Sequence, residues 1–567
     1  MNRVLLDNVM VGNPDQTEAR RKVLRVHPGD NVLVALNSLK AGEKVSAPDG
    51  VISLVSSIPA KHKFATAHLV TGDAITMYGI SIGRAVEPIR QGELLTTRNV
   101  QHYAAAVKGK SSAREWTAPD VSHWRQRTFP GYQRADGQVG TRNYWLVIPL
   151  VFCENRNVAV LKQAFEEELG YAPPQVYRNQ VAELVELYKE GKISDFSQPR
   201  GEQAHASRGQ SRVFRNVDGI KFLTHEGGCG GTRQDAGGLV GLLAGYIHHP
   251  NVAGATILSL GCQNAQVGLL RKEILRRNPR FEKPLIVLEH QQSGSEFAMV
   301  SQAIRQTFLG LVEADKCERR PAPIPNISVG LKCGGSDGFS GISANPAIGH
   351  TADLVAALGG KTILSEFPEL CGVEQELVDR AVNAETADRF LQLMREYNAR
   401  AQAVGSGFDM NPSPGNIRDG LITDAMKSAG AAKKGGTSPV TAVLDFPEYA
   451  TTPGLNLLCT PGNDVESVTA QVGSGASVVL FTTGLGTPTG NPIAPVIKIS
   501  TNSELAQRMP DIIDLDAGPV IAGDKTVEQV GEDVLELIIK VASGEIKTKA
   551  ELLAQDDFIP WKRGVSL

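Results

Sequence analysis

Three apolar runs, each ending in a glycine-rich turn that carries a cysteine, constrain this chain most. The runs cover residues 217–223, 252–260 and 327–331. The turns hold Cys229 in Thr224-His225-Glu226-Gly227-Gly228-Cys229-Gly230-Gly231, Cys262 in Leu260-Gly261-Cys262-Gln263-Asn264, and Cys333 in Leu331-Lys332-Cys333-Gly334-Gly335-Ser336-Asp337. Short continuous apolar runs bounded by turns read as strands buried on both faces. Helix candidates at 267–277 and 296–309 lie between them. That alternation predicts an α/β fold with a largely parallel sheet and helices on both faces.

In an open α/β sheet, the loops leaving the carboxyl ends of the strands line the ligand crevice. Three thiols delivered there suggest a shared iron site or a reactive-thiol site. Glycine beside each lets backbone or substrate approach closely. A free cysteine often only fills apolar space. That reading is weaker for three of them, each followed by polar or glycine residues. No C-x-x-C pair occurs, so neither a zinc finger nor a thioredoxin site is indicated.

A chain of 567 residues exceeds one hydrophobic core and predicts two to four domains. A net charge of -3 and no basic face argue against nucleic acid as a partner. Seven cysteines, an odd count, fit a reducing compartment better than a disulfide scaffold. The first 21 residues lack the apolar core of a secretion signal, and no apolar run is long enough to span a membrane. A cytoplasmic location with no membrane partner is therefore expected. The 58 glycines and 5% aromatic content favour an enzyme with many site loops.

Short β-rich runs at 22–26, 31–36, 51–55, 63–67 and 74–78 predict a small all-β domain over residues 1–105. Residues 106–130 are polar and read as a linker. An α/β domain follows over 131–325, with a polar surface insertion expected at 190–216. A second α/β domain covers 326–567, with strands at 362–364, 440–444, 455–459, 477–481 and 495–499. One long helix is expected at 373–400 and a terminal one at 526–542.

Several loops could hold a polyhydroxylated anion. Asn411-Pro412-Ser413-Pro414-Gly415-Asn416 combines stiff backbone with amides and a hydroxyl. The segments 460–464 and 484–491, the latter with Thr487, could present backbone N–H groups to a carboxylate. Ordinary tight turns use the same residues. Ser336 and Asp337 follow the third cysteine and suit substrate hydroxyls, a base, or a capping turn. Glu366, Glu369, Lys332 and Lys498 are further acid/base or carboxylate-pairing candidates.

These strings together resemble the altronate and galactarate dehydratases. The match lies in Gly131-Tyr132-Gln133-Arg134-Ala135-Asp136-Gly137-Gln138-Val139-Gly140-Thr141-Arg142-Asn143, in Lys332 to Asp337 with Ser340-Gly341 and Asn345-Pro346, in Asn411 to Asn416, and in Gly484 to Gly490 with Pro488. The N-terminal part is similar to the family's SAF (β-clip) domain through His27, Asp30-Asn31-Val32, Gly42, His62-Lys63 and Tyr78-Gly79 through Gly83. The ending Trp561-Lys562-Arg563-Gly564-Val565-Ser566-Leu567 is similar to the altronate branch. Departures are Gly227 where family members often have an aromatic, Gln263 where many have Glu, and Leu95-Thr96-Thr97-Arg98-Asn99 in place of a His-rich stretch.

The resemblance implies a SAF domain followed by Rossmann-like α/β domains, and elimination of water from an aldonate or aldarate. A base takes the C2 proton, the C3 hydroxyl leaves, and the enol collapses to a 2-keto-3-deoxy acid. D-altronate is the first substrate expected, with galactarate or another aldarate as alternatives. Removal of sulfite from sulfolactate uses the same enolate logic. It also implies ferrous iron, which would counter charge on the enediolate-like transition state. Two ligand sets stay open. Thiolates Cys229, Cys262 and Cys333 suit an iron–sulfur cluster, whereas histidines such as His27, His62 and His225 suit mononuclear iron. His225, Asp337, Glu366 and His62 are the catalytic candidates. Lys63, Ser336, Asn345, Asn411, Ser413, Asn416 and Thr487 are the substrate-binding ones.

Other classes compete. An electron-transfer protein lacks the fourth thiolate of a closed cluster. A sugar-acid-binding protein would keep ligand affinity without metal. A nicotinamide dehydrogenase is disfavoured, because no G-x-G-x-x-G is followed by an acidic residue about 20 positions on. A homodimer is expected only because two-fold dimers are the commonest oligomers.

Overall fold

The computed structural model describes residues 21–112, 115–173, 176–193, 211–564 and 566. At the N-terminus short strands pair antiparallel. Val32–Ala35 lies between Val23–Leu24 and Lys63–Ala65. Lys44–Ala47 pairs with Gly50–Ser53, and Ala74–Met77 with Ile80–Ala85, which also pairs with Val100–Gln101. All of Val32–Ala35 is buried, and its alternation serves two cores. Leu33 and Ala35 pack with Val45, Ile52 and Phe64 inside the SAF domain. Val32 and Val34 belong to the cluster that continues into Ile327, Val329 and Leu331 of the last domain.

The turn between Met77 and Ile80 places Tyr78 and Gly79 at φ of 59° and 76°. Two successive positive φ values match the twist of the flanking strands. The Asp30 carboxylate accepts from their N–H groups at 3.2 and 2.9 Å. The His27 ring packs where a Gly79 Cβ would stand.

The stretch expected to be a linker is tied down. Lys110 Nζ donates to the carbonyls of Asp379 and Ala381 at 3.0 and 2.7 Å, at the end of the helix Glu374–Arg380. A cation there meets the unpaired carbonyls of a helix C-terminus. Residues 113 and 114 of that stretch lie outside the described residues.

The middle domain is a four-stranded parallel sheet in the order Gly219–Phe222, Tyr144–Pro149, Val252–Ser259, Leu285–Glu289. Helices Asn155–Leu169, Arg233–His248, Val267–Arg277 and Glu296–Ala314 accompany it. Burial on both sides explains why Tyr144–Pro149 is buried throughout. Of the expected insertion at 190–216, residues 194–210 lie outside the described residues.

The last domain is a seven-stranded parallel sheet. Its order is Val440–Leu444, Gly454–Leu458, Lys361–Leu364, Ser328–Cys333, Val478–Thr483, Val496–Ser500, Leu515–Asp516. The chain builds outward on one side of Ser328–Cys333, then returns to its other side at Val478–Thr483. Such a reversal opens a crevice beyond the carboxyl ends of the two central strands.

The long helix expected at 373–400 is two helices, Glu374–Arg380 and Ala384–Ala403. Ala381 bridges to Val440 and Val382 donates to the Val440 carbonyl at 3.0 Å. Asn383 then caps the second helix by accepting from the Thr386 N–H at 2.8 Å. An edge strand thus captures two residues that helical periodicity alone would have kept.

Candidate active site

Ser328–Cys333 is buried along its whole length, and its last two residues carry the chemistry. Lys332 Nζ reaches Glu366, with which it forms a fully buried ion pair, and lies 2.9 Å from Asp464. Glu366 follows the adjacent strand Lys361–Leu364 and sits at φ 70°, uncommon for a residue with a side chain. Its N–H donates to Thr460 Oγ1 at 3.0 Å, which holds that turn. Its other carboxylate oxygen accepts from Lys434 at 2.7 Å. Three residues on, Glu369 pairs with Lys427 at 2.8 Å.

Cys333 completes the group. Its Sγ lies 2.8 Å from Lys434 Nζ and 3.3 Å from a Glu369 oxygen. Burial, with the Glu369 charge adding to it, pushes the Cys333 thiol up to about 12. The thiol is therefore protonated at neutral pH and donates to Glu369. Burial also works against an ionised Glu369, but the ammonium groups of Lys427, Lys434 and Lys332 outweigh it and hold that carboxyl below the usual range. Three carboxylates, Glu366, Glu369 and Asp464, thus balance three ammonium groups, Lys332, Lys427 and Lys434. Burying each ion costs several kcal/mol before pairing. Such an arrangement at the carboxyl end of a central strand defines the candidate functional site.

The crevice loops hold one another in place. Asp337 is fully buried, and its carboxylate accepts from Phe339 N–H, Ser340 Oγ, Thr501 Oγ1 and Asn502 Nδ2 at 3.0–3.3 Å. It also pairs with Lys61 of the SAF domain at 3.0 Å. Gly484 must be glycine here, because a Cβ would collide with the Asp337 carboxyl. With its acceptors filled, Asp337 anchors loops in this arrangement and is not a free base.

Asn416 Nδ2 donates to the Ser336 carbonyl at 2.8 Å, while Ser413 and Asn416 form a capping box on each other. Asn345 accepts from Thr482 and donates to the Gly430 carbonyl. Thr487 Oγ1 borders Gly335. Of the expected substrate-binding residues, Asn411 is the one joined to the ionic cluster, through Lys427 at 2.5 Å.

The SAF domain contributes its 61–63 loop. Lys61 sits at φ 73° and its carbonyl lies against Gly338 and Gly420. Lys63 is buried and donates to the Gly420 carbonyl at 2.8 Å; burial brings it down to about 7. His62 Nδ1 contacts the Ala60 carbonyl at 3.1 Å. His27 stays within the SAF domain, its Nδ1 accepting from Gly29 N–H at 3.1 Å.

Cys229 and His225 lie on an open cleft of about 630 Å³ between the middle domain and residues 558–562. His225 Nε2 donates to the Pro149 carbonyl at 2.8 Å, and Nδ1 accepts from Gly227 N–H at 3.1 Å. Both ring nitrogens are occupied, and burial lowers its pKa. In this arrangement it is a neutral structural group. Cys262 is exposed and receives a contact from Gln291 Nε2 at 3.4 Å. The helix Asp464–Gly473 joins cleft and cluster: Asp464 meets Lys332, and Glu466 lines the cleft.

The expected metal set is divided. Among the described residues, the groups of three donor atoms within 4.8 Å of one another are Cys333–Glu366–Glu369 and His102–Cys371–Asp424. Neither includes Cys229, Cys262 or His27. The Cys333 group does not suit a further cation, because three ammonium groups already neutralise it. Lys427, Lys434 and Lys61 were not anticipated from sequence, and Asp464, within the singled-out segment 460–464, was expected to offer backbone N–H groups rather than its carboxylate. A signal existed for two of them. Lys427 and Lys434 interrupt the small, apolar stretch Ala425-Met426-Lys427-Ser428-Ala429-Gly430-Ala431-Ala432-Lys433-Lys434, whose helical part is almost wholly buried.

Comparison with known proteins agrees with this architecture. Residues 21–103 match the altronate/galactarate dehydratase SAF domain, and 131–315 the D-galactarate dehydratase/altronate hydrolase second domain. Residues 324–566 match the D-galactarate/altronate dehydratase C-terminal domain. The altronate dehydratase of Bacillus subtilis (strain 168) is 32% identical over 526 residues, covering 93% of this chain and 96% of that protein. The altronate dehydratase of Escherichia coli (strain K12) is 32% identical over 522 residues, 92% of this chain and 95% of its own. The galactarate dehydratase (L-threo-forming) of Escherichia coli (strain K12) is 31% identical over 532 residues, 93% of each. The chain belongs to the altronate/galactarate dehydratase family, whose named members are hydro-lyases. Among the described residues no helix is long and apolar enough to cross a membrane.

Proposed function

We propose that this chain removes water from a sugar acid, with D-altronate as the substrate and 2-dehydro-3-deoxy-D-gluconate as the product. The observation that carries the reading is the largely buried, charge-balanced group of Lys332, Lys427, Lys434, Glu366, Glu369 and Asp464, with Cys333 beside it, at the crevice of the seven-stranded sheet. The family membership supports a sugar-acid hydro-lyase; two relatives that carry the altronate name support the substrate.

Elimination needs a base for the C2 proton, cationic groups for the developing enediolate, and a proton for the departing C3 hydroxyl. The cluster contains all three kinds of group. Asp464, with its side chain 28% exposed, and Lys427, at 10%, are its outer members, where a ligand first meets it. A substrate carboxylate that engages Lys332 takes the place of part of its pairing with Glu366 and frees a Glu366 oxygen to meet the C2 proton. Glu366 then takes the C2 proton, and the Lys434 ammonium or the Cys333 thiol supplies a proton to the leaving hydroxyl. Water departs, and the enol takes up a proton at C3 to give the 2-keto acid. No step is assigned to iron, because the Cys333 group has no charge left for it. Dependence on ferrous iron remains part of the proposal as a requirement of the whole enzyme.

The test is an anaerobic assay for 2-keto-3-deoxy acid with ferrous iron, offering D-altronate and galactarate in parallel. Product from D-altronate, lost on chelation and reduced at least ~100-fold in Glu366→Gln, is expected. Product from galactarate alone moves the substrate. Undiminished turnover in Glu366→Gln overturns the assignment of the base.

A further inference from the structure

His102, Cys371 and Asp424 come from three separate parts of the chain. His102 follows the last strand of the SAF domain, Val100–Gln101. Cys371 ends the turn that carries Glu366 and Glu369. Asp424 opens the helix Asp424–Ala432 that carries Lys427. One donor atom from each lies within 4.8 Å of the other two.

The carboxylate is the telling member. Asp424 is 1% exposed, and among the described residues neither of its oxygens has a hydrogen-bond partner in regular geometry. Its neighbour is the Cys371 thiol. Lys427, one turn along the same helix, does not serve as its ion-pair partner, for its ammonium is committed to Glu369 at 2.8 Å and Asn411 at 2.5 Å. Buried carboxylates left without a partner are costly, and native proteins almost always satisfy them. The His102 ring has spare capacity as well: among the described residues its one hydrogen bond is a long one, 3.3 Å, from the Ala425 N–H to Nδ1. His102 and Cys371 are only partly buried, so the trio is open to solvent on one side.

We propose that His102, Cys371 and Asp424 bind a divalent transition-metal ion of the iron(II) or zinc class. One imidazole nitrogen, one thiolate and one carboxylate oxygen form a mixed donor set that suits such an ion and leaves a further position for water. On binding, the Cys371 S–H proton and the proton held by the Asp424 carboxyl pass to solvent, and thiolate and carboxylate take their places as ligands. The ion fastens the end of the SAF domain to the turn bearing Glu369 and to the helix bearing Lys427. It thereby sets the spacing of those two groups. This inference does not depend on the substrate or on the reaction proposed above, and its readouts need no turnover.

The experiment uses the full chain, stripped with chelator, reduced and loaded with cobalt(II) under argon. A thiolate-to-cobalt charge-transfer band in the near ultraviolet reports the sulfur ligand, and metal retained after gel filtration is measured by mass spectrometry. The wild type is expected to show the band and to hold the ion. Asp424→Asn, which keeps the size and shape of the buried side chain and should fold, is expected to lose at least tenfold in affinity. Cys371→Ser should lose the band, whereas Cys229→Ala and Cys262→Ala should keep it. Thermal melting of each variant distinguishes lost binding from lost folding. A band that persists in Cys371→Ser, one that disappears with Cys229→Ala or Cys262→Ala, or unchanged affinity in folded Asp424→Asn overturns the proposal.

Discussion

At the scale of single residues, the environment of each cysteine decides its chemistry. Sequence made Cys229, Cys262 and Cys333 look equivalent, each in a glycine-rich turn after an apolar run. The structure separates them, since Cys229 and Cys262 are exposed and Cys333 is buried. Thiolate is the nucleophile, and its fraction falls as the pKa rises. Brief treatment of the native protein with iodoacetamide near neutral pH should therefore alkylate Cys229 and Cys262 and spare Cys333, read by peptide mass spectrometry. Rapid labelling of Cys333 would show that the ionic cluster opens readily. Glu366 and Cys333 were legible in sequence, because both follow strand-like runs at a sheet's carboxyl edge. Lys434 was not, for its partner Cys333 lies 101 positions away.

At the scale of elements, loops do the positioning. Ser413 with Asn416, Asn345 with Thr482, and Asp337 with its ring of donors hold turns against each other. Polar loop residues that looked like ligands for substrate are largely used as supports. The 61–63 loop also joins two domains. Lys61 there is paired with Asp337 at 3.0 Å and with Asp419 at 3.3 Å. Lys61→Ala leaves a fully buried Asp337 without its cation, a change that costs about 3 kcal/mol. Hydrogen exchange should rise in the segments around Asp337 and Gly420 while the core of the middle domain stays protected. Unchanged exchange in both segments would mean that the SAF loop does not hold the crevice.

At the scale of the whole molecule, the SAF domain and the last domain share one core through Val32 and Val34. A buried lysine at that junction couples their association to pH. Lys63 titrates near 7 when folded, below the value of about 10.4 for an unfolded lysine. Below pH 7 both states hold the proton and the burial cost is complete. Above it the unfolded chain holds more protons, so this residue's contribution to stability rises with pH through that window. Melting temperatures of wild type and Lys63→Met, compared from about pH 7 to about pH 9, should show the wild type gaining on the variant. A constant difference would place Lys63 in water.

Local pattern by itself determined the β-rich N-terminus, the parallel α/β character of the rest and the crevice strand ending in Cys333. Each of these rests on apolar periodicity and turn residues within a few positions of one another. The break at Ala381-Val382-Asn383, the anchoring of residues 106–112 and the ionic cluster were decided only by tertiary contact. Charge pairs of this kind join residues tens to hundreds of positions apart. Their energy depends on burial and on distances in space, neither of which a linear pattern records.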